Sequence, residues 1–486
     1  MISPSTRRAA GAAVLAAVLL LRPSAAGAQH NGIALAEVLP ELLGSTIILN
    51  PTALPDQPNH RAHFAPGVDQ LEVPGQFNRA VLTLLSTSPI ASPSGGFTYT
   101  FDPALGTFRR TSDSFGPTFA ERALTIGKGK VSVGFGYQHA TYDTFEGLNL
   151  RQRNRNSDVR GVTFYVRHTD CCSPGGGTAS QPNDSLLSPA FEGDLVRADL
   201  ALNLTTDASV FAVTYGVHDR LDLGVVVPFL HVKLDASVQA TIERLSTAAE
   251  PEIHSFPDGD SALFTAGGSA SGLGDIVLRA KWRALPAAGG GLALATDVRL
   301  PTGDESNLLG TGGVQAKVYA VGSIARGPFS PHVNAGYTFS TVGALPDTRL
   351  RDEINVAAGF DWALTPRATL AVDWVGRSLQ DAGRLRLAEK SYTYVTGGTG
   401  AGGGGGAGGG GGGGGGGTRP PVEQTLTTTR TELKFEAGNL NLSFGSVAFR
   451  FSPWRSLLVT AGLLVPLTEA GLRDRVTPII GIDYGF

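Results

Sequence analysis

Over roughly the last three quarters of the chain, apolar and polar residues alternate. Val131, Val133, Phe135 and Tyr137 interleave with Ser132, Gly134, Gly136 and Gln138. Ile276, Leu278, Ala280 and Trp282 interleave with Asp275, Val277, Arg279, Lys281 and Arg283. Leu292, Leu294, Thr296, Val298 and Leu300 do the same with Ala293, Ala295, Asp297 and Arg299. Ile354 to Trp362, Leu370 to Trp374 and Leu200 to Leu204 repeat the pattern. Successive side chains of a strand point to opposite faces, so each run predicts a strand with one apolar face. Segments of about ten residues, alternating and separated by turns, are the signature of a membrane-spanning barrel. The fold class expected is therefore all-β: a transmembrane antiparallel up-and-down β-barrel with an irregular N-terminal region.

The connections give the strand count. Val217–Arg220, Ala284–Gly290, Gly327–Pro328, Leu364–Arg367 and Ser452–Arg455 are short. Longer connections, from Asp143 to Asp194, Ala248 to Ser271, Pro301 to Gly313, Thr341 to Asp352, Ser378 to Thr431 and Thr468 to Arg475, interleave with them. Short periplasmic turns alternating with long outer loops give about 12 strands, or 14 if Gly161–Thr169 crosses the membrane as well. Two registers are irregular. Leu223, Val225 and Val227 share one parity and Val232, Leu234 and Val238 the other, which predicts a bulge at Pro228. From Leu433 to Phe451 no single parity holds.

The last strand runs from Val476 to Phe486, with Ile482, Tyr484 and Phe486 on one face and Asp483 on the other. It resembles the terminal strand of bacterial outer-membrane barrels, which the barrel-assembly machinery reads as an insertion signal. Residues 1–28 read as a cleaved signal peptide, with Arg7-Arg8, an apolar run and Ala26-Gly27-Ala28 in order. Residues 29–128 lack the barrel period. They contain two short helical runs, Leu35–Leu43 and Asn78–Ser86, and a hairpin about Asp102–Gly106. Two roles are open for them, a periplasmic extension or a plug inside the barrel. Residues 129–486 form the barrel, with an outer loop at about 396–420 that contains a glycine run from Gly402 to Gly417, interrupted at Ala407.

Composition excludes several classes. The net charge is −3 over 486 residues, which gives nucleic acid no basic surface. The two cysteines, Cys171 and Cys172, are adjacent, too few for a disulfide framework. Nucleophile elbows, zinc-protease helices and phosphate loops are absent, so the chain does not read as an enzyme. His60 and His63 stand without further metal ligands nearby in the sequence, and neither a metal nor a cofactor is expected.

Candidate chemistry lies on the inner face. Asp275, Arg279, Lys281, Arg283, Asp297, Arg299, Lys317, Asp361, Asp373 and Arg377 take the polar parity and are expected to line the lumen. There they either tune selectivity or build a structural salt-bridge network. Asp304 and Glu305 are expected at the outer rim, selecting solute or closing the turn after Pro301.

Asp297-Val298-Arg299-Leu300-Pro301-Thr302-Gly303-Asp304-Glu305, followed by Leu309-Gly310-Thr311-Gly312, resembles a strand-to-loop signature. It is that of the outer-membrane barrels associated with phenol and other aromatic degradation, the MetA-pathway group. Tyr215–Gly224 and Gly272–Ile276 are similar to that group as well, and the likeness spans about 194–486. The group is in turn similar in plan to FadL-type transporters, which carry an N-terminal hatch. The resemblance implies an outer-membrane channel for passive uptake of small apolar or aromatic compounds. Its surroundings would be membrane lipid and lipopolysaccharide, with the assembly machinery as a partner in biogenesis. A structural or surface-exposed barrel without transport, and a barrel hydrolase with a Ser–His pair at the membrane rim, are the alternatives.

Overall fold

The computed structural model describes residues 29–44, 107–151, 161–167, 193–248, 254–341, 350–396, 424–454 and 456–486, with short stretches between 47 and 102. Residues 1–28, expected as a signal peptide, and His60, His63, Cys171, Cys172 and the glycine run lie outside the described residues.

Twelve antiparallel strands close into a barrel. They are β1 (Val131–Phe145), β2 (Leu195–His218), β3 (Leu221–Glu243), β4 (Ser261–Leu273, resuming as Val277–Ala287), β5 (Gly290–Arg299) and β6 (Gln315–Ile324). Then come β7 (Phe329–Ser340), β8 (Glu353–Thr365), β9 (Ala368–Leu379), β10 (Leu440–Trp454), β11 (Leu457–Pro466) and β12 (Thr477–Gly485). The seam joins the last strand to the first: Phe486 and Val131 exchange both backbone hydrogen bonds at 2.9 Å. Closure leaves no unpaired edge, which lipid would not tolerate. The segment Val162–Arg167 pairs only with the outer end of β2, so it extends the first outer loop and the count stays at twelve.

Alternation maps onto the wall as expected over the membrane belt. Leu294, Val318, Val333, Val447 and Ile480 stand about half exposed on the outside. Trp282, Trp362, Trp454 and Phe486 ring the short-turn end, where amphipathic rings suit the lipid headgroups. Ile482 and Tyr484 also point outward, and Asp483 is buried inside, 3.5 Å from Arg450.

The expected bulge at Pro228 is corrected. The β2–β3 register runs unbroken through Val210↔Pro228. The interruption falls in the neighbouring strand instead. Below it β3 pairs with Val277–Trp282, and above it with Ser261–Leu273. Residues 274–276 break the ladder where Pro228 has no N–H to give, and Gly274 N–H bonds to the Pro228 carbonyl at 2.9 Å. The apparent change of parity has another cause. Below Pro228 the apolar residues face lipid; above it the inward positions become apolar. Val232, Leu234 and Val238 are fully buried in one cluster with Leu200, Leu204, Leu39 and Leu42.

That cluster is built by the N-terminal region. A 3-10 turn (Leu35–Glu37) leads into helix α1 (Val38–Gly44), and Pro40 fits because it occupies the first turn. Helical residues 77–81 add Phe77 and Val81 to the same core. Residues 29–32 pair with the outer edge of β4 from Ser271 to Gly268. The stretch 261–271, expected as loop, is therefore strand, paired with β3 and, over 268–271, with residues 29–32 as well. The irregular parity of 433–451 arises because two elements meet there. Gln424–Glu436 pairs with Arg384–Thr396 in a separate hairpin, and β10 begins at Leu440.

An arginine at Val333, mid-belt on β7, should destabilise the reconstituted barrel by about 2–4 kcal/mol. Denaturant titration in lipid vesicles measures this, and unchanged stability would mean that this face does not contact lipid.

Candidate functional site: the interior of the barrel

Residues 111–129 cross the barrel near its short-turn end as an extended segment. An extended chain with no neighbouring strand still has to satisfy its amides. Here the wall supplies side-chain acceptors in succession. Phe115 N–H donates to Thr369 at 3.1 Å, and Thr118 and Phe119 donate to one Asp373 oxygen at 2.9 and 3.0 Å. Glu121 N–H donates to Asn334 at 2.7 Å, and Asn334 returns a bond to the Glu121 carbonyl at 3.0 Å. Ala123 and Ile126 donate to Ser323 at 2.9 Å and Asp222 at 3.1 Å. Beside Thr369, on the adjacent strand, one Arg450 nitrogen donates to the carbonyls of Phe115, Gly116 and Pro117, at 2.7 to 3.0 Å. The segment leaves through Gly216, whose absent Cβ would lie 1.9 Å from the Gly127 carbonyl oxygen.

Charge fixes the centre of the segment. The buried Glu121 carboxylate lies 2.7 Å from Arg279 and 3.2 Å from Lys281. Arg279 also holds Asp297 through two nitrogens, at 2.8 and 3.0 Å. Charge-assisted, two-point pairs of this kind are the stronger hydrogen bonds of a protein interior. Arg377 grips Glu353 in the same way, at 3.0 and 2.6 Å.

Between this segment and the apolar N-terminal core lies a cavity of about 230 Å³. Phe119 and Glu121 line it on one side and Leu309 on the other. Arg299 and Lys317 border it, and the Lys317 ammonium sits 4.6 Å from the Tyr319 ring centre.

The expected inner-face residues therefore divide. Arg279, Lys281, Asp297, Arg377 and Asp373 are engaged in pairs or in holding the crossing segment. Asp275 accepts the amides of Gly303 and Thr311 at 3.0 and 2.8 Å and the Thr311 hydroxyl at 2.7 Å, which folds the loop after β5. Arg283 is engaged at the short turn, where it donates to the carbonyls of Ala287 and Gly290. Asp361 is fully buried, 3.9 Å from His332, whose other nitrogen meets Asp373 at 2.8 Å. Asp304 caps the 3-10 turn Glu305–Asn307 by accepting Ser306 N–H at 3.0 Å, so turn closure occupies it. Glu121, Asn334, Ser323, Asp222, Thr369 and Arg450 were not among the expected residues. The wall residues had a signal in their inward parity, as with Asp222 between Leu221 and Leu223 or Asn334 between Val333 and Ala335, whereas Glu121 had none.

Asp373→Ala leaves two amides and His332 without their acceptor, at about 1–3 kcal/mol for each buried group. It should loosen the crossing segment and raise single-channel conductance severalfold, with Asp373→Asn intermediate. Bilayer recordings indistinguishable from wild type for both variants would show that the anchor does not hold the segment in place.

Residues 179–403 match the model of a family described as the MetA-pathway of phenol degradation. A search of the curated proteins gives no match. Among solved structures, an outer-membrane channel from Pseudomonas putida F1 is similar at 12% identity, with 75% of this chain and 98% of the other covered and a TM-score of 0.38. A FadL homologue from Pseudomonas aeruginosa is similar at 11% identity, 73% and 88% coverage and a TM-score of 0.28. A toluene transporter of Ralstonia pickettii is similar at 8%, with 75% and 91% covered and a TM-score of 0.26. The stretch Asp297–Gly312, which carried the resemblance in the sequence, lies inside the family match, and the resemblance to the MetA-pathway group stands.

Proposed function

We propose that the protein is an outer-membrane channel for the passive uptake of small apolar or aromatic compounds. The observation that carries this is the cavity between the crossing segment and the N-terminal core. Val226, Pro228, Leu230 and Val277 give it an aliphatic wall. Ligand sites combine such apolar lining with a few placed polar groups. In this reading residues 29–128 are a plug, Gln29–Gly32 and α1 stoppering the outer end and 111–129 the other. Asp373 and the ion pairs set how readily it shifts. Lipid and lipopolysaccharide surround the belt, and the assembly machinery reads Ile482, Tyr484 and Phe486. Uptake by proteoliposomes tests the function. Toluene-sized solutes should enter faster than into protein-free vesicles, and faster relative to those controls than glucose does. Vesicles with and without protein that take up both kinds of solute alike would overturn the reading.

One observation favours a second reading, a surface hydrolase. His139, Asp207, His231 and Ser271 stand in register across β1 to β4 on the outer face, and the His231 ring nitrogen lies 2.6 Å from the Ser271 hydroxyl. Phe229, two residues below, marks the edge of the apolar belt. A serine next to a histidine base and a carboxylate is the arrangement of a nucleophile. Backbone amides here are committed to the strand ladder, which leaves few donors for an oxyanion. The reading expects ester hydrolysis on lipid vesicles that Ser271→Ala abolishes; no hydrolysis by the wild-type protein eliminates it.

A further inference from the structure

Resting on the uptake reading, we infer that the cavity takes a one-ring solute with a single anionic group, a carboxylate or phenolate, rather than a neutral hydrocarbon. The lining carries four acids and four bases, and what distinguishes them is which already have close partners. Every acid facing the cavity is already engaged. Glu121 holds Arg279 and Lys281, Asp297 holds Arg279, and Glu353 holds Arg377 by two bonds. Asp275 is held by backbone amides and a hydroxyl.

Lys317 is different. It lies on β6 between these groups, yet among the described residues no carboxylate comes within 4.0 Å of its ammonium. Its close partner is the face of Tyr319, which attracts a cation without using its N–H donors. An ammonium has three donors, so Lys317 keeps hydrogen-bonding capacity directed at the cavity it lines. Arg299 borders the same space and adds positive potential.

Another part of the lining, Val226, Pro228 and Leu230 with Val277, offers aliphatic surface. A ligand that meets both parts has an apolar body and an anionic end. Desolvating that anion is offset only where a cation and hydrogen-bond donors receive it. Lys317 supplies both. The volume of about 230 Å³ lies below the ~300–1,000 Å³ of drug-sized sites. It suits one ring and its substituent.

Calorimetric titration of the full-length, detergent-solubilised protein with benzoate and with benzamide at neutral pH tests this, since the two share a shape and differ in charge. Wild type should bind benzoate about tenfold more tightly than benzamide. Lys317→Met should abolish that preference while still binding benzamide, and Lys317→Arg should retain it. Equal affinities in wild type, or a preference that survives Lys317→Met, overturn the inference and leave the uptake reading standing if benzamide binds. Binding of neither compound, with toluene uptake into proteoliposomes intact, overturns the inference alone. Loss of both binding and uptake overturns the uptake reading with it.

Discussion

A buried amide needs an acceptor, and that single requirement shapes both layers of this molecule. In the wall the acceptors are neighbouring strands, which is why the sheet closes and why Phe486 must reach Val131. Inside the wall no strand adjoins residues 111–129. Their amides are met by Thr369, Asp373, Asn334, Ser323 and Asp222, contributed by four different strands. Leaving any one unmet costs about 1–3 kcal/mol. A segment held at so many points is fixed as a whole.

The barrel reverses its polarity along its length. In the membrane belt the outside is apolar and the inside carries Arg279, Asp297 and Arg377. Beyond Pro228 the strands of β2 and β3 rise out of the belt, and the inside becomes Leu200, Leu204, Val232 and Leu234, packed on Leu39 and Leu42. The burial of these side chains contributes about 1.5–3 kcal/mol each. It offsets the ordering of a region too irregular to fold on its own. The cavity lies at the boundary between the two regimes, which is why one of its walls is aliphatic and another charged.

How much of this could be read from the chain follows from which interactions leave a period. Lipid contact imposes apolar residues at every second position, so Ile354 to Trp362 and Ile480 to Phe486 were legible, as were the short turns and the number of strands. Where two environments succeed each other on one strand, the period survives and its meaning inverts. Val232 and Leu234 suggested a bulge for that reason. The crossing segment leaves no period at all, because its bonds run from main chain to side chains about a hundred to more than three hundred residues away. Lys317 and Arg279 looked alike in sequence. Only their neighbours, Glu121 above all, distinguish an engaged cation from an available one.

The seam between β12 and β1 constrains the order of assembly. In the plug reading the described residues run from Gln29–Gly32 on β4 at the outer end, past Pro89 at the cavity, to the opposite end, where β1 begins at Val131. It is a thread through a ring. Drawing such a thread through a finished ring would drag helix α1 and the hairpin Tyr99–Arg110 past every ion pair of the lumen. Closing the ring around the thread avoids that passage. The joining of Phe486 to Val131 then becomes the last event of biogenesis, and the terminal strand acts as a clasp fastened once the contents are in place.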